Sequence, residues 1–485
     1  MKKNENVPLN FREKSISRIS FYVSIGVLAV LFLIFNQIDY NMIRKPAQQA
    51  QKEAQAKKEQ EQKEAETAPD VTTASVIAVG DNLVQPSLLN SGKYESGAWN
   101  YDHVYTNFTT MLQNADIAMV NQETPFTDSH DSVSGTAPYA TPTEIGDALV
   151  KAGFNVITSA TQLIDDNGST MLTQTLDYWK NQHPDTMVSG IHDTTDNGGG
   201  NILEINGIKI AFLDYTFPSS AVSEESGDTG MVNTFDSQSV ADAIKTAKSS
   251  ADCVIFSANW GKIEEPMPTE YEKEWANFLM KQGVDVVIGT HPNVLQPYGY
   301  LTDDEGHNML IYYSLGNFVS GQETLKQLLG GMAGFTIEKT VTGDQTSVKI
   351  RDGALTPLVM HYSYEDGEYQ PYLLSDYTDE LASRHSVRDI IGDEFTLENL
   401  QTKYDEIMSM NVTPSTKTTL LDVTFDSDGN MLDESGNMVT DTDSITSSQY
   451  YQNLSSAENN DGSNDGDSDS DSGDSDSDSS DSEQQ

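Results

Sequence analysis

Short, strongly apolar, β-rich segments recur along this chain. Each ends in a knot of polar residues, with helical patterns between them, and no other feature narrows the possible folds as far. The predicted strands are Ala74–Val79, Ile117–Val120, Asn155–Ser159, Ile208–Tyr215, Cys253–Ser257, Val284–Gly289 and Met309–Ser314. Thr143–Ala152, Thr170–Gln182, Gln238–Ser250 and Glu270–Gln282 carry the apolar period of helices that bury one face. Ser169, Ser237 and Thr269 stand where N-caps belong, and Gly153 and Gly283 where two of the helices close. Such alternation predicts an α/β fold, a largely buried parallel or mixed sheet with helices packed on it.

In sheets of this kind, binding groups gather on loops at the carboxyl ends of the strands. The polar knots fall there: Gly80-Asp81-Asn82, Asn121-Gln122-Glu123-Thr124-Pro125, Ala160 to Gly168, Ala258-Asn259-Trp260-Gly261, Gly289-Thr290-His291-Pro292-Asn293 and Leu315-Gly316-Asn317-Phe318. One such ending is ordinary turn chemistry. Six in succession point to a shared site.

Ahead of this core, Ile19 to Ile38 is an uncharged apolar run of about 20 residues, the length a helix needs to cross a bilayer. Lys2, Lys3, Arg12, Lys14 and Arg18 precede it, so the positive-inside tendency predicts a cytoplasmic N-terminus and an extracellular remainder. A cleaved signal peptide has a shorter apolar stretch and small residues at its cleavage site; Phe35-Asn36-Gln37-Ile38-Asp39 offers none. The expected organisation is a cytoplasmic N-terminus (1–18), a transmembrane helix (19–38), a charged stalk (39–70), an α/β domain (71–361), a C-terminal extension (362–450) and a disordered acidic tail (451–485). Stalk residues Ala47 to Ala68 favour helix but have no apolar face to bury. Ser455 to Gln485 has no basic residue, and its like charges repel. The stretch Asp426 to Met431 imitates a calcium loop but has Met431 where an EF-hand needs glycine; Val423 to Val439 reads as a hairpin.

A formal net charge of −47 argues against a nucleic-acid partner, which needs clustered Lys and Arg. The single cysteine, Cys253, rules out an intrachain disulfide and reads as a buried thiol within a strand.

The motifs Asn259-Trp260-Gly261, His291-Pro292-Asn293-Val294-Leu295-Gln296-Pro297 and Tyr313-Ser314-Leu315-Gly316-Asn317-Phe318 resemble those of the CapA/PgsA-type capsule (poly-γ-glutamate) biosynthesis family. That family is related to the calcineurin-like metallophosphoesterases, and the resemblance runs from about Ala74 to Pro357. It implies a four-layer α/β/β/α sandwich and a tethered role beside a polymer synthase or export complex. It also implies site residues Asp81, Asn121, Glu123, Asp166 and His291. Departures are clear: Thr161-Gln162-Leu163 replaces Asn-Asn-His, Asn259 replaces the His of His-Trp-Gly, and Asn293 replaces the second His of His-Pro-His.

A two-metal hydrolytic site needs several carboxylate and imidazole ligands. Leu163 cannot ligate, and neutral amide oxygens bind transition metals far less well than imidazole does. What remains is room for one divalent cation held by Asp81, Glu123, His291 and amide oxygens, since hard cations prefer oxygen. The residues expected at the site are therefore Asp81, Glu123 and His291 as catalytic or metal-ligating groups, with Asn121, Asn259, Trp260, Asn293 and Asn317 as binding groups. Each has a structural alternative. Asp81 can cap the next segment, Glu123 can sit in a surface ion pair, His291 can be a satisfied loop histidine, Asp166-Asn167-Gly168 is good turn chemistry, and Trp260 can be core. Three functions compete: a non-catalytic or weakly catalytic subunit of a capsule polymer assembly, a metal-dependent hydrolase of phosphate esters or γ-linked or cell-wall peptides, and a carbohydrate-binding module.

Overall fold

The computed structural model describes residues 11–66, 69–165, 167–193, 201–218, 231–417, 419–425, 431–432 and 438. Two compact units divide the chain, Met1–Asp70 with Thr340–Thr346, and Val71–Lys339 with Ser347–Gln485.

In the first unit, helix Phe11–Asp39 passes through a π-helical turn, Tyr40–Arg44, into helix Lys45–Glu66. Among the described residues this is the one helix long and apolar enough to cross a membrane, with mean hydropathy 2.3 in its most apolar window. Its Leu, Ile, Val and Phe side chains are exposed, as expected of a surface that only lipid or another apolar phase can cover.

Two mixed sheets form the second unit. The first runs in the order Glu368–Leu373, Gln345–Ser363, Leu329–Thr342, Asp70–Asn82, Ile117–Gln122, Val156–Thr158, Met187–Ser189, with Asn317–Val319 also paired to Asp70–Asn82. The second runs Tyr298–Thr302, Asn308–Tyr312, Val286–Thr290, Cys253–Asn259, Ile208–Thr216, Asn201–Ile205. Alternation along the second sheet shows how the layers stack, because successive side chains point to opposite faces. Ile210, Phe212, Ile255, Val286, Ile288 and Leu310 join one core with Val76, Ala78 and Val120 of the first sheet. Ala211, Leu213, Val254, Phe256, Val287 and Ile311 point the other way, onto Val240, Ile244, Trp275 and Phe278 of helices Ser237–Ser250 and Glu270–Gln282. Leu112, Ile145 and Leu149, on helices Thr109–Asn114 and Thr143–Ala152, join the first core. The result is the expected four-layer α/β/β/α sandwich.

Local signals explain several element ends. Thr269 and Glu272 form a reciprocal capping box on Glu270–Gln282, and Gly283 closes that helix in the left-handed region. Two expected caps are corrected. Asp236, one residue earlier than expected, is the N-cap and accepts the Ser239 amide through its side chain. The hydroxyl of Ser237 is held instead by Asp422, at 2.9 Å. Ser169 lies inside the first turn of Gly168–Gln182, whose N-cap is Asn167.

The expected boundary at 361/362 falls inside strand Gln345–Ser363. Beyond it, Tyr369, Val387, Phe395, Leu400 and Ile407 complete the first core, and Leu420, Leu421, Val423 and Phe425 complete the second. Thr424–Phe425 pairs antiparallel with Met431–Leu432, as a hairpin there requires. The calcium-loop lookalike at 426–430 and the acidic tail from 451 lie outside the described residues.

Asp214 bridges the sheets: from strand Ile208–Thr216 its Oδ2 accepts the amides of Ser159 at 2.8 Å and Ala160 at 2.9 Å, just past strand Val156–Thr158. Burial pushes its carboxyl up to about 7, against the pull of those donors. A folded-state value above the unfolded one means the native protein holds the proton longer. This contribution to stability is present below about pH 4 and is lost as pH rises through about 7. Asp214→Asn keeps an acceptor for both amides without the titration, so its melting temperature should fall less than wild type between pH 4 and pH 7, measured by circular dichroism.

Candidate functional site

The ends of the central strands converge on one polar cluster. Asp81 lies in strand register with both Asn121 and Asn317. That fit depends on glycine at position 80, where a Cβ would stand 1.8 Å from the Gly316 carbonyl oxygen. From the first sheet come Asp81, Asn121 and, one residue past strand Ile117–Gln122, Glu123. From the second come Asn259, the last residue of its strand, and the loop after Val286–Thr290 that carries His291 and Asn293. Both loop residues have positive φ, 92° and 55°, uncommon conformations outside glycine, though asparagine takes the left-handed region more readily than most.

Amide nitrogens face the two carboxyl groups. Asn121 Nδ2 donates to Asp81 Oδ1 at 2.8 Å and to Glu123 Oε1 at 2.6 Å. Asn293 Nδ2 donates to Asp81 Oδ2 at 3.0 Å, and Asn259 Nδ2 to Glu123 Oε1 at 3.3 Å. The His291 backbone N–H also donates to Asp81. Asp81, Asn121, Glu123 and Asn259 are all buried. Burial raises the Asp81 carboxyl above its ordinary value, while hydrogen bonds from Asn121, Glu123 and Asn293 hold the rise down. Glu123 is raised further, by burial first and then by the Asp81 charge. Glu123 therefore keeps the proton and donates it to Asp81, because two adjacent buried carboxyls cannot both ionise.

Hydroxyls fix which way the amides point. Thr158 Oγ1 donates to Asn121 Oδ1 at 3.1 Å, and Thr216 Oγ1 to Asn259 Oδ1 at 2.8 Å. Thr290 Oγ1 accepts from Asn259 Nδ2 at 3.2 Å, and Gln162 Nε2 donates to Thr216 Oγ1 at 2.8 Å. Sequence reasoning did not single out these threonines as site residues. Their signal was present: each is the final residue of a buried strand.

Three of the expected residues have structural partners of their own. His291's imidazole packs edge-on against Phe217, ring centroids 4.7 Å apart, and burial pulls it down to about 4, so it is a neutral buried ring. Trp260 lines no cleft: it is fully buried between Phe235 and Tyr313, with its indole N–H on the Tyr313 carbonyl at 2.9 Å. Asn317 is a loop brace, its Nδ2 donating to the carbonyls of Asn293 at 3.2 Å and Gln327 at 3.0 Å. Asp166 lies outside the described residues.

The metal ligand set expected from Asp81, Glu123 and His291 does not assemble. Among the described residues no group of three or more His, Cys, Asp and Glu side chains is placed to hold a metal ion. The amide oxygens expected to help also face away, Asn121 and Asn259 turning theirs to hydroxyls and their nitrogens to the carboxyls. An N–H donor cannot ligate a cation. These residues do not fit a dinuclear metal centre.

Two face-to-face mixed sheets with helices outside and polar loops at the strand ends define a four-layer α/β/β/α sandwich. Residues 75–322, just over half of the chain, match the family model described as bacterial capsule synthesis protein PGA_cap, and the chain belongs to that family. It is 26% identical over 212 residues to the PGA biosynthesis protein CapA of Bacillus subtilis (strain 168), covering 43% of this chain and 54% of that protein. With the capsule biosynthesis protein CapA of Bacillus anthracis it shares 24% identity over 267 residues, covering 53% of this chain and 64% of that one. The match thus spans less than two thirds of either relative's length. Similar solved structures include a candidate 5'-nucleotidase of Staphylococcus aureus, with TM-score 0.39 and 12% identity, covering 66% of this chain and 58% of that one.

Asn121→Leu removes the donor common to both carboxyls without emptying the space. It should lower the unfolding free energy by about 3 kcal/mol in denaturant titrations, the scale for leaving buried acidic oxygens short of a partner. Thr158→Val, which only loosens the orientation of Asn121, should cost about 1 kcal/mol.

Proposed function

We propose that this chain is a membrane-anchored, extracellular component of capsule polymer biosynthesis or export, acting through tethering and partner contact rather than through metal-dependent hydrolysis. Family membership supports the capsule role, and the names of its CapA relatives make poly-γ-glutamate the first polymer to test. The observation that carries the non-catalytic part is the donor set: amide N–H groups occupy the positions around Asp81 and Glu123 where a hydrolytic centre needs ligands. A net charge of −47 also disfavours a firm grip on a polyanion, which suits a subunit standing beside a synthase. The rival hydrolase would use Asp81, Glu123, His291 and Asp166, with Asn259 and Asn293 as substituted ligands; of these the histidine packs against Phe217 and both asparagines turn their nitrogens to the carboxyls.

Glu123→Gln separates the two readings. Glutamine can donate to Asp81 through Nε2 and accept from Asn121 and Asn259 through Oε1, reproducing the protonated glutamate. In a strain lacking the gene, this variant should restore surface polymer to the wild-type level. A stably expressed variant that restores none would favour the hydrolase. Orientation has its own readout, because the only native cysteine, Cys253, is buried. Asp304→Cys, on an exposed turn, should react with a membrane-impermeant maleimide in intact cells, and Lys3→Cys only after lysis. The reverse pattern would overturn the predicted topology.

A further inference from the structure

The two halves of the polar cluster belong to different sheets. Asp81, Asn121 and Glu123 stand on or next to strands of the first sheet, and Asn259 and Asn293 on or after strands of the second. Asn259 to Glu123 and Asn293 to Asp81 are therefore hydrogen bonds across the seam between the sheets, as is Gln162 to Thr216 nearby. A metal ion bound by ligands from both sides would join the same two sheets and neutralise the same two carboxyls. Here the N–H dipoles of Asn121, Asn259 and Asn293 supply the positive ends. Both Asp81 oxygens and Glu123 Oε1 already accept amide hydrogens. An incoming cation would have to turn three amides, two of them, Asn121 and Asn259, against the hydroxyls that hold them.

We propose that Asn259 and Asn293 are a metal-replacing clasp: they join the two sheets across the buried carboxyl pair and exclude divalent cations from the site. This deepens, and rests on, the reading of the site as non-hydrolytic. The two asparagines become determinants of metal independence rather than remnants of a lost ligand set. Their geometry fits that role, since both nitrogens face carboxyls and Asn259 is held in that sense by Thr216 and Thr290. Exchanging each amide for a carboxylate is nearly isosteric, yet it converts each donor into an acceptor and brings four acidic groups together. Such a cluster of oxygen ligands is what a hard divalent cation takes.

The test uses the full-length chain in detergent and reads thermal melting and bound metal, without reference to polymer. Wild type should melt at the same temperature in EDTA and in Mn²⁺ and should carry no stoichiometric metal by elemental analysis. Asn259→Asp/Asn293→Asp should melt lower than wild type in EDTA and recover by about 5 °C or more in Mn²⁺ at a hundredfold its dissociation constant. Asn293→Asp alone, in a loop and so least disruptive, should show a smaller shift in the same direction. A wild type that loses stability in EDTA, or that retains one manganese or zinc per chain, overturns the proposal. So does a folded single or double variant whose melting ignores Mn²⁺. If neither variant folds, the wild-type measurements alone decide. Because none of these readouts involves capsule, they separate a failed clasp from a failed capsule role.

Discussion

Two buried carboxyl groups placed side by side are the constraint around which this protein is arranged. Asp81 and Glu123 are closed off from water and, among the described residues, have no Lys or Arg ion pair to neutralise them. Burying such a pair is costly unless every oxygen is met by a hydrogen. The surrounding geometry meets that demand through Asn121 between the two acids, Asn259 and Asn293 from the opposite sheet, and a main-chain N–H from a loop held at positive φ. The close approach of Gly80 to Gly316 serves the same end, since it brings strand Asp70–Asn82 close enough to Asn317–Val319 for the loops to meet over the acids. Satisfied in this way, a polar core specifies one arrangement of its elements, because any other leaves an acid without a partner.

Much of the architecture was legible in the sequence. Thr143–Ala152 and Glu270–Gln282 begin and end where their apolar period and closing glycines say they should, and Thr269 caps the second as expected. The apolar runs at Cys253–Ser257 and Val284–Gly289 read as strands because both faces are buried, the second strand starting two residues later, at Val286. Convergence of the strand ends was also readable, since the carboxyl edge of a sheet is where such loops can meet. What could not be read was orientation. Whether Asn259 offers its oxygen or its nitrogen depends on Thr216 and Thr290, which come from two other strands. The ring of His291 is turned by Phe217, seventy-odd positions earlier. Trp260 follows a polar residue and precedes a glycine, which suggests exposure, yet the Tyr313 carbonyl satisfies its indole and the core takes the rest. Adjacency in the chain carried the fold; contacts between distant strands decided the chemistry.

The balance of charge adds a second layer. The chain carries 75 acidic residues against 28 basic ones, but its most strongly perturbed carboxyls are not on the surface. Asp214 and Glu123 both tie one sheet to the other, and both gain their raised affinity for protons from burial. Acidification therefore strengthens the contribution of these buried acids while it removes that of Asp116, whose hydrogen bonds from the Ser75 amide and hydroxyl hold its carboxyl below the ordinary value.

Neither core is complete until late in the chain. Strand Asp70–Asn82 lies beside Leu329–Thr342 and Asn317–Val319, while Phe395, Leu400 and Ile407 fill the first core and Leu421 and Phe425 the second. A domain emerging from the ribosome with strand Asp70–Asn82 leading therefore cannot finish folding until Leu421 and Phe425 have followed it out. Contacts this distant in sequence make closure slow and keep the leading portion threadable. The position of the last core residues thus acts as a timer, holding off compaction until nearly the whole folded unit has passed through.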